Sequence, residues 1–326
     1  MSEHSSLDRI FVLELVRVTE AAAVAASRLV GRGDEKAADA AAVEAMRREL
    51  NNLAIDGTVV IGEGERDEAP MLYIGEKVGT GQGPKVDIAL DPLEGTTITA
   101  KAMQNALAVV AVSEGGQLLN APDVYMDKIA VGGGYPAGII DLDKSPAENI
   151  QAVAKAKGVD VGDIMVCILD RPRHSDLIKE VRAAGARVML IGDGDVAGVI
   201  ATTNPDTGID MYMGSGGAPE GVLAAAALRC TGGQIQGRLL FRNDDERDRA
   251  RRWGITDLHR KYTLEDMAGD DVIFAATGVT DGSLLQGVRL VPGGFYSTHT
   301  VVMRSKTKTI RWVTARHARK KIQEQP

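Results

Sequence analysis

Aromatic residues make up only 4% of the 326 residues, and there are two tryptophans, five histidines and two cysteines. A core short of aromatics has to be filled by aliphatic side chains, methionine and close backbone packing at alanine and glycine. Two cysteines, each inside an apolar run, do not make a disulfide framework; Cys167 and Cys230 read as buried reduced thiols, which fits a cytoplasmic protein. Scattered histidines argue against a histidine-rich zinc site. No apolar run approaches the ~18 residues of a membrane span, and the polar start MSEHSSLDRI is unlike a signal peptide. Basic residues are in deficit. Lys and Arg number 38 against 45 Asp and Glu, a net charge of −7, so a general nucleic-acid or membrane-surface binder is excluded for lack of a basic face.

What is present is an ordinary globular balance, 44% hydrophobic and 25% charged, with 37 glycines. The length suits about two domains of ~150 residues. Apolar positions at helical spacing, with no Gly or Pro, predict a helix over 7–30, and a second follows over 35–52. Strands are expected at 58–61, 86–90, 105–116 and 127–134. Their close spacing points to an antiparallel sheet covered by the early helices. Beyond residue 145, strands at 164–169 and 186–192 alternate with helical segments, the pattern of a parallel α/β layer. The division is therefore expected at 1–155 and 156–326, with the final strands free to return to the first domain.

Acidic corners close two of the strands. TVVI runs into Gly62-Glu63-Gly64-Glu65-Arg66-Asp67-Glu68, and VDIAL runs into Asp91-Pro92-Leu93-Glu94-Gly95-Thr96-Thr97. Carboxylates ~4 Å apart repel by about 4 kcal/mol at an effective dielectric near 20. If these loops converge, a divalent cation with hard oxygen ligands is an economical neutraliser. The same residues also spell a turn and a helix cap, with Thr96 or Thr97 capping. On residue type alone both readings stand.

The motifs carry a resemblance. Glu63 in its Gly-Glu-Gly loop and the Asp-Pro-Leu-Glu-Gly-Thr-Thr corner are similar to the signature of the metal-dependent, lithium-sensitive sugar and inositol phosphatases. There the second acid is usually Asp rather than Glu94. The stretches IGEGERDEAPMLYIGEKVGTG, NAPDVYMDKIAVG, DRPRHSDLI, DGDVAGVI, GGAPEGVLAAA and VIFAATGVTDGSLLQGV resemble class II fructose-1,6-bisphosphatase, over roughly residues 8–315.

That resemblance implies an α/β (α+β) fold, a five-layer αβαβα sandwich of two domains with the active site between them. The implied activity is metal-dependent hydrolysis of the 1-phosphate of fructose 1,6-bisphosphate, a gluconeogenic step, with Mn²⁺ or Mg²⁺. It implies metal ligands at Asp39, Glu63, Asp91, Glu94 and Glu220. Thr96 would orient the attacking water and Asp67 would act as a further catalytic acid. Substrate contacts fall at Glu94, Gly95, Thr96, Tyr125, Arg171, Pro172, Arg173, Asp193, Gly194, Asp195 and Gly217. A homodimer or homotetramer is implied as well. One departure is local: the family often has a lysine where Glu35 stands here, and Lys36, one residue later, is turned ~100° about a helix.

Three rivals are weaker. Sedoheptulose 1,7-bisphosphate shares the bisphosphate layout, so a bifunctional enzyme is the nearest alternative. A dinucleotide-binding dehydrogenase would use Gly192, Gly194 and Gly198, but Asp193 and Asp195 would meet the pyrophosphate. A non-catalytic sugar-phosphate-binding regulator would not need the full acid set.

Overall fold

The computed structural model describes residues 7, 11–64 and 71–319. They form two compact units: residues up to Gly116 together with those from Ile273 onward, and Gln117–Val272. The segment 117–155, assigned from sequence to the first domain, lies in the second. The reason is a strand whose whole length pairs there, described below.

In the first unit, helices α1 (Phe11–Ser27) and α2 (Glu35–Asn51) precede strands β1 (Asp56–Ile61), β2 (Lys77–Val78) and β3 (Lys85–Glu94). Helix α3 (Thr96–Ala100) and strand β4 (Leu107–Glu114) complete its N-terminal part. Asp34 caps α2 by accepting the N–H of Ala37 at 2.9 Å, which satisfies one of the free donors of the first turn. Alanines 22, 23, 26, 38 and 42 are fully buried in one cluster with Met46, Leu50, Ile88 and Val110. Small side chains let the helices sit close to each other and to the sheet, which is how a core poor in aromatics is filled. Strand β3 is buried from Val86 to Leu90, so truncating Ile88 to Ala costs about 2–5 kcal/mol.

The second unit contains β5 (Tyr125–Val131), α4 (Pro146–Lys157), β6 (Met165–Leu169), α5 (Ser175–Ala183) and β7 (Arg187–Ile191). It continues through α6 (Asp195–Ala201), β8 (Met211–Gly217), α7 (Ala218–Thr231) and β9 (Gln234–Leu240). Last come α8 (Asp244–Arg252), β10 (Lys261–Thr263) and α9 (Leu264–Met267). Strands β11 (Val272–Gly278), β12 (Arg289–Val291), β13 (Phe295–Arg304) and β14 (Thr309–Ala318) follow. The two units share the mixed helix-and-sheet class expected from sequence, with one sheet in each.

The first sheet runs β12-β13-β11-β4-β3-β1-β2, with β14 on β13. It is not wholly antiparallel as expected: β1 and β3 are parallel. The second sheet runs β10-β9-β5-β8-β6-β7. The layer beyond residue 145 was expected to be parallel, but only β6–β7 and β6–β8 are; β5, expected in the antiparallel sheet of the first domain, is antiparallel here, to β8 and β9 throughout its length. A strand written DKIAV carries no mark of its partner; pairing is a long-range choice. Both cysteines are buried thiols outside any disulfide, and burial followed by the charge of Asp195 pushes the Cys167 thiol up to about 12. Among the described residues no helix is long and apolar enough to cross a membrane.

Candidate active site

Parallel pairing of β1 and β3 aligns the two acidic corners. Ile61 is registered with Ala89. Glu63 lies two residues past Ile61, and Asp91 lies two residues past Ala89. Both therefore lie just past the last β1–β3 pair, toward the carboxyl ends of neighbouring strands ~4.8 Å apart, with Asp91 still paired to Val109 of β4. Chain ends of this kind are where α/β folds place their ligands.

The backbone of each corner is shaped locally. Glu63 donates its N–H to the carbonyl of Leu72 at 3.0 Å. A Cβ on Gly62 would stand 2.0 Å from that carbonyl oxygen, so only glycine allows the approach. Buried Glu76 accepts from the N–H of Leu72 and, at 2.6 Å, from Nε of Arg47, fixing the turn that leads into β2.

At the other corner the β3–β4 register shifts between Asp91 and Glu94. Asp91 folds back to accept the N–H of Leu93 at 3.0 Å, an Asx turn that re-aims the chain. Glu94 is buried and Asp91 half-buried. Gly95, at φ +90°, is the N-cap of α3, with no side-chain cap bond. Thr96 and Thr97 stand inside the helix instead. The capping role offered to Thr97 by its sequence is thus taken by Gly95. Asp39 is half-buried on α2, and burial raises its carboxyl above the ordinary range. Asp67 lies outside the described residues. Among the described residues no three His, Cys, Asp or Glu side chains stand in a metal-holding group.

The second unit has its own charged centre. Glu220 sits in the first turn of α7, after Gly217 as N-cap. Its Oε2 is sealed from solvent with no hydrogen-bond partner among the described residues. Burial, then the charge of Asp195, pushes the Glu220 carboxyl up to about 7, against the pull of Lys128. A buried carboxylate oxygen left unsatisfied is expensive, and a cation is a natural partner; this fits the divalent metal implied by the resemblance. A Cβ at Gly217 would stand 1.8 Å from that Oε2, and one at Gly216 would stand 2.0 Å from Oδ2 of Asp195.

Lys128 was missed from sequence. It is buried in β5, bonds the carboxylate of Asp195, and donates to the carbonyl of Gly217 at 2.9 Å. Its only sequence signal is a lone cation inside an apolar strand. Asp195, expected to meet sugar hydroxyls, is thereby largely committed within the protein. Asp193 pairs at 3.4 Å with Arg171, and Gly194 caps α6 at φ +84°.

Arg173 is positioned differently from Arg171. Its Nε donates to Oγ of Ser215 at 3.1 Å and its Nη2 to the Ser215 carbonyl at 2.7 Å. Behind it, His174 donates from Nδ1 to the Leu169 carbonyl at 2.8 Å, and its Nε2 accepts the N–H of Ser215 at 2.9 Å. These bonds define a neutral imidazole, and burial lowers its pKa, aided by Arg173 and opposed by Asp127. Pro172 opens the short turn that carries both residues. The Arg173 guanidinium lies 4.8 Å from the centre of the Tyr125 ring. His174 and Ser215 were not singled out from sequence either; a histidine ending RPRH does not reveal its partner 41 residues away.

Comparison with known proteins places this geometry in a family. The family model for "Bacterial fructose-1,6-bisphosphatase, glpX-encoded" matches residues 9–317. The chain is 50% identical over 322 residues, 95% of each chain, to the Escherichia coli K12 protein named fructose-1,6-bisphosphatase 1 class 2. It is similar to the same extent to the Shigella flexneri protein named fructose-1,6-bisphosphatase class 2. The family model spans the acidic corners, the Arg171–Arg173 turn and the Glu220 helix in a single match, and the chain belongs to the bacterial class 2 fructose-1,6-bisphosphatase family.

Proposed function

We propose that this protein is a metal-dependent phosphatase that hydrolyses the 1-phosphate of fructose 1,6-bisphosphate, yielding fructose 6-phosphate and inorganic phosphate. The observation that carries this reading is the shared offset of Glu63 and Asp91 beyond a parallel strand pair, in a chain of this family. Asp39, Glu63, Asp91, Glu94 and Glu220 would hold the divalent metal, Mn²⁺ or Mg²⁺. When bound, the metal supplies charge neutralisation of the phosphate and a lowered pKa for water.

The chain's own groups do the rest. Thr96 orients the water that attacks phosphorus in line with the departing sugar oxygen. Asp67 takes the proton from that water. The P–O bond to C1 breaks, and the sugar alkoxide leaves and is protonated. Glu94, Gly95 and Thr96 border the reacting phosphate. Asp193 and Gly194 face the sugar, with Asp195 held behind them by Lys128, and Gly217 lets the backbone approach it. Tyr125 and Arg173, on the turn that Pro172 opens, hold the distal phosphate, for which a planar guanidinium is well suited, while Arg171 beside them holds Asp193. The assembly is a homodimer or homotetramer, working in the cytoplasm.

The test is phosphate release from fructose 1,6-bisphosphate with Mn²⁺ or Mg²⁺, and its loss on chelation. No release with either metal would end this reading. Side-by-side kcat/KM values for sedoheptulose 1,7-bisphosphate measure how broad the activity is.

A further inference from the structure

The Tyr125 ring carries two guanidinium groups. Arg173 lies 4.8 Å and Arg242 5.3 Å from its centre. Tyr125 opens β5 and is registered with Leu240 of β9, and Arg242 follows two residues later. Strand pairing therefore delivers Arg242 to the aromatic ring that Arg173 reaches from its own loop.

Both arginines are oriented by protein groups. Arg242 donates from Nε to Oε1 of Glu246 at 2.6 Å, and its backbone N–H donates to Oε2 at 2.7 Å. Glu246 is itself buried, its N–H held by the cap residue Asn243 at 2.9 Å. Arg173 spends Nε and Nη2 on Ser215 and pairs with no carboxylate among the described residues. Neither Nη1 makes a hydrogen bond among the described residues. Glu246 and Asp123 act on Arg242, and Arg249 acts on Glu246, so three arginines against two acids keep an excess of about one positive charge, with unspent donors around one ring. Arg171, in contrast, is turned to Asp193 and to the carbonyl of Asp170, each at 3.4 Å.

We propose that Arg242 is a specificity-determining residue: with Arg173 it flanks Tyr125 as the two-guanidinium seat of the substrate's distal phosphate. Arg171 acts instead on Asp193. The inference rests on the phosphatase reading above and adds a cation that the RPR turn does not contain. Two forked cations on a fixed ring suit a dianion bound through several oxygens, and distinguish a bisphosphate from a monophosphate.

The experiment compares wild type with Arg242→Met, Arg242→Lys and Arg171→Met on fructose 1,6-bisphosphate and on fructose 1-phosphate, which keeps the scissile phosphate and lacks the distal one. For Arg242→Met the expected result is a roughly tenfold or greater rise in KM for the bisphosphate, with a much smaller change in kcat. The ratio of kcat/KM between the two substrates should fall by the same factor. Arg242→Lys keeps a cation beside buried Glu246, so folding is preserved, and it should give an intermediate rise. Arg171→Met should shift the ratio less than Arg242→Met.

Equal losses on both substrates in Arg242→Met, or an unchanged KM for the bisphosphate in both Arg242 variants, would overturn the assignment. Calorimetric titration with fructose 6-phosphate decides it apart from turnover. Weaker binding in the Arg242 variants supports the seat, whereas equal binding, or none to wild type, overturns it. Failure of the phosphatase reading would show separately, as absent turnover in wild type.

Discussion

The ammonium of Lys128 rests on the carboxylate of Asp195, and their side chains are only 1% and 7% exposed. A buried pair of this kind costs much of its attraction in desolvation, but removing one member leaves an uncompensated charge. Lys128→Met should lower stability by about 3–5 kcal/mol. Lys128→Met combined with Asp195→Leu should recover much of that loss. Denaturant melts of the two variants check this; equal instability in both would show that the strand tolerates neither replacement.

Glu220 offers a cation an oxygen left without a hydrogen bond among the described residues. Ligands that bind only the folded state raise its stability by mass action. Adding Mn²⁺ to wild type should raise Tm by several degrees, and the rise should shrink in Glu220→Gln, whose amide is a poorer ligand. Thermal melts with and without Mn²⁺, at one protein concentration, measure it.

Gly217 has room for a hydrogen and nothing larger, since an added Cβ would meet the Glu220 carboxylate at 1.8 Å and 2.6 Å. Gly217→Ala must push that carboxylate aside. A displacement near 1 Å at reacting groups can cost about 10²-fold in rate, so a fall in kcat of that order is expected. Gly162→Ala is the control: its nearest neighbour would be 3.9 Å away. A steady-state comparison of the two suffices.

His174 makes stability depend on pH. Burial lowers its pKa from the ordinary 6.5, so in the window just below 6.5 the unfolded chain binds a proton that the folded one refuses. Stability from this residue is therefore full above about pH 6.5 and is lost as pH falls toward the folded value. The difference in unfolding free energy between wild type and His174→Gln should shrink on acidification through that window. Urea melts at pH 8, 6.5 and 5.5 would show it, and a difference constant across them would remove His174 from this role.

Much of this molecule is legible along the chain. The alanine-rich helices are marked by their 3.6-residue period, and β1 and β3 by apolar runs ending in Gly and Asp-Pro. Asp34 and Ser145 announce their helices as caps, each accepting an N–H three residues on. These signals are local, because helix period and capping act within a few residues. The acids at 63, 91, 94 and 220 stand out in the same way, as charges beside glycines at the ends of apolar segments.

Tertiary structure decided the remainder, and the reason is pairing at long range. Which sheet takes β5 depends on β8 and β9, whose paired residues come 80 to 115 positions later in the chain. The parallel register of β1 with β3 gives Glu63 and Asp91 a common edge, which neither corner specifies alone. Gly95 rather than Thr97 caps α3, because the bulge after Asp91 brings the chain to a positive φ that glycine adopts freely. Lys128, His174 and Arg242 read in sequence as an ordinary lysine, histidine and arginine. Their partners Asp195, Ser215 and Tyr125 are 67, 41 and about 117 residues distant. Charge and hydrogen bonding act through space, so those roles exist only once the sheet has assembled.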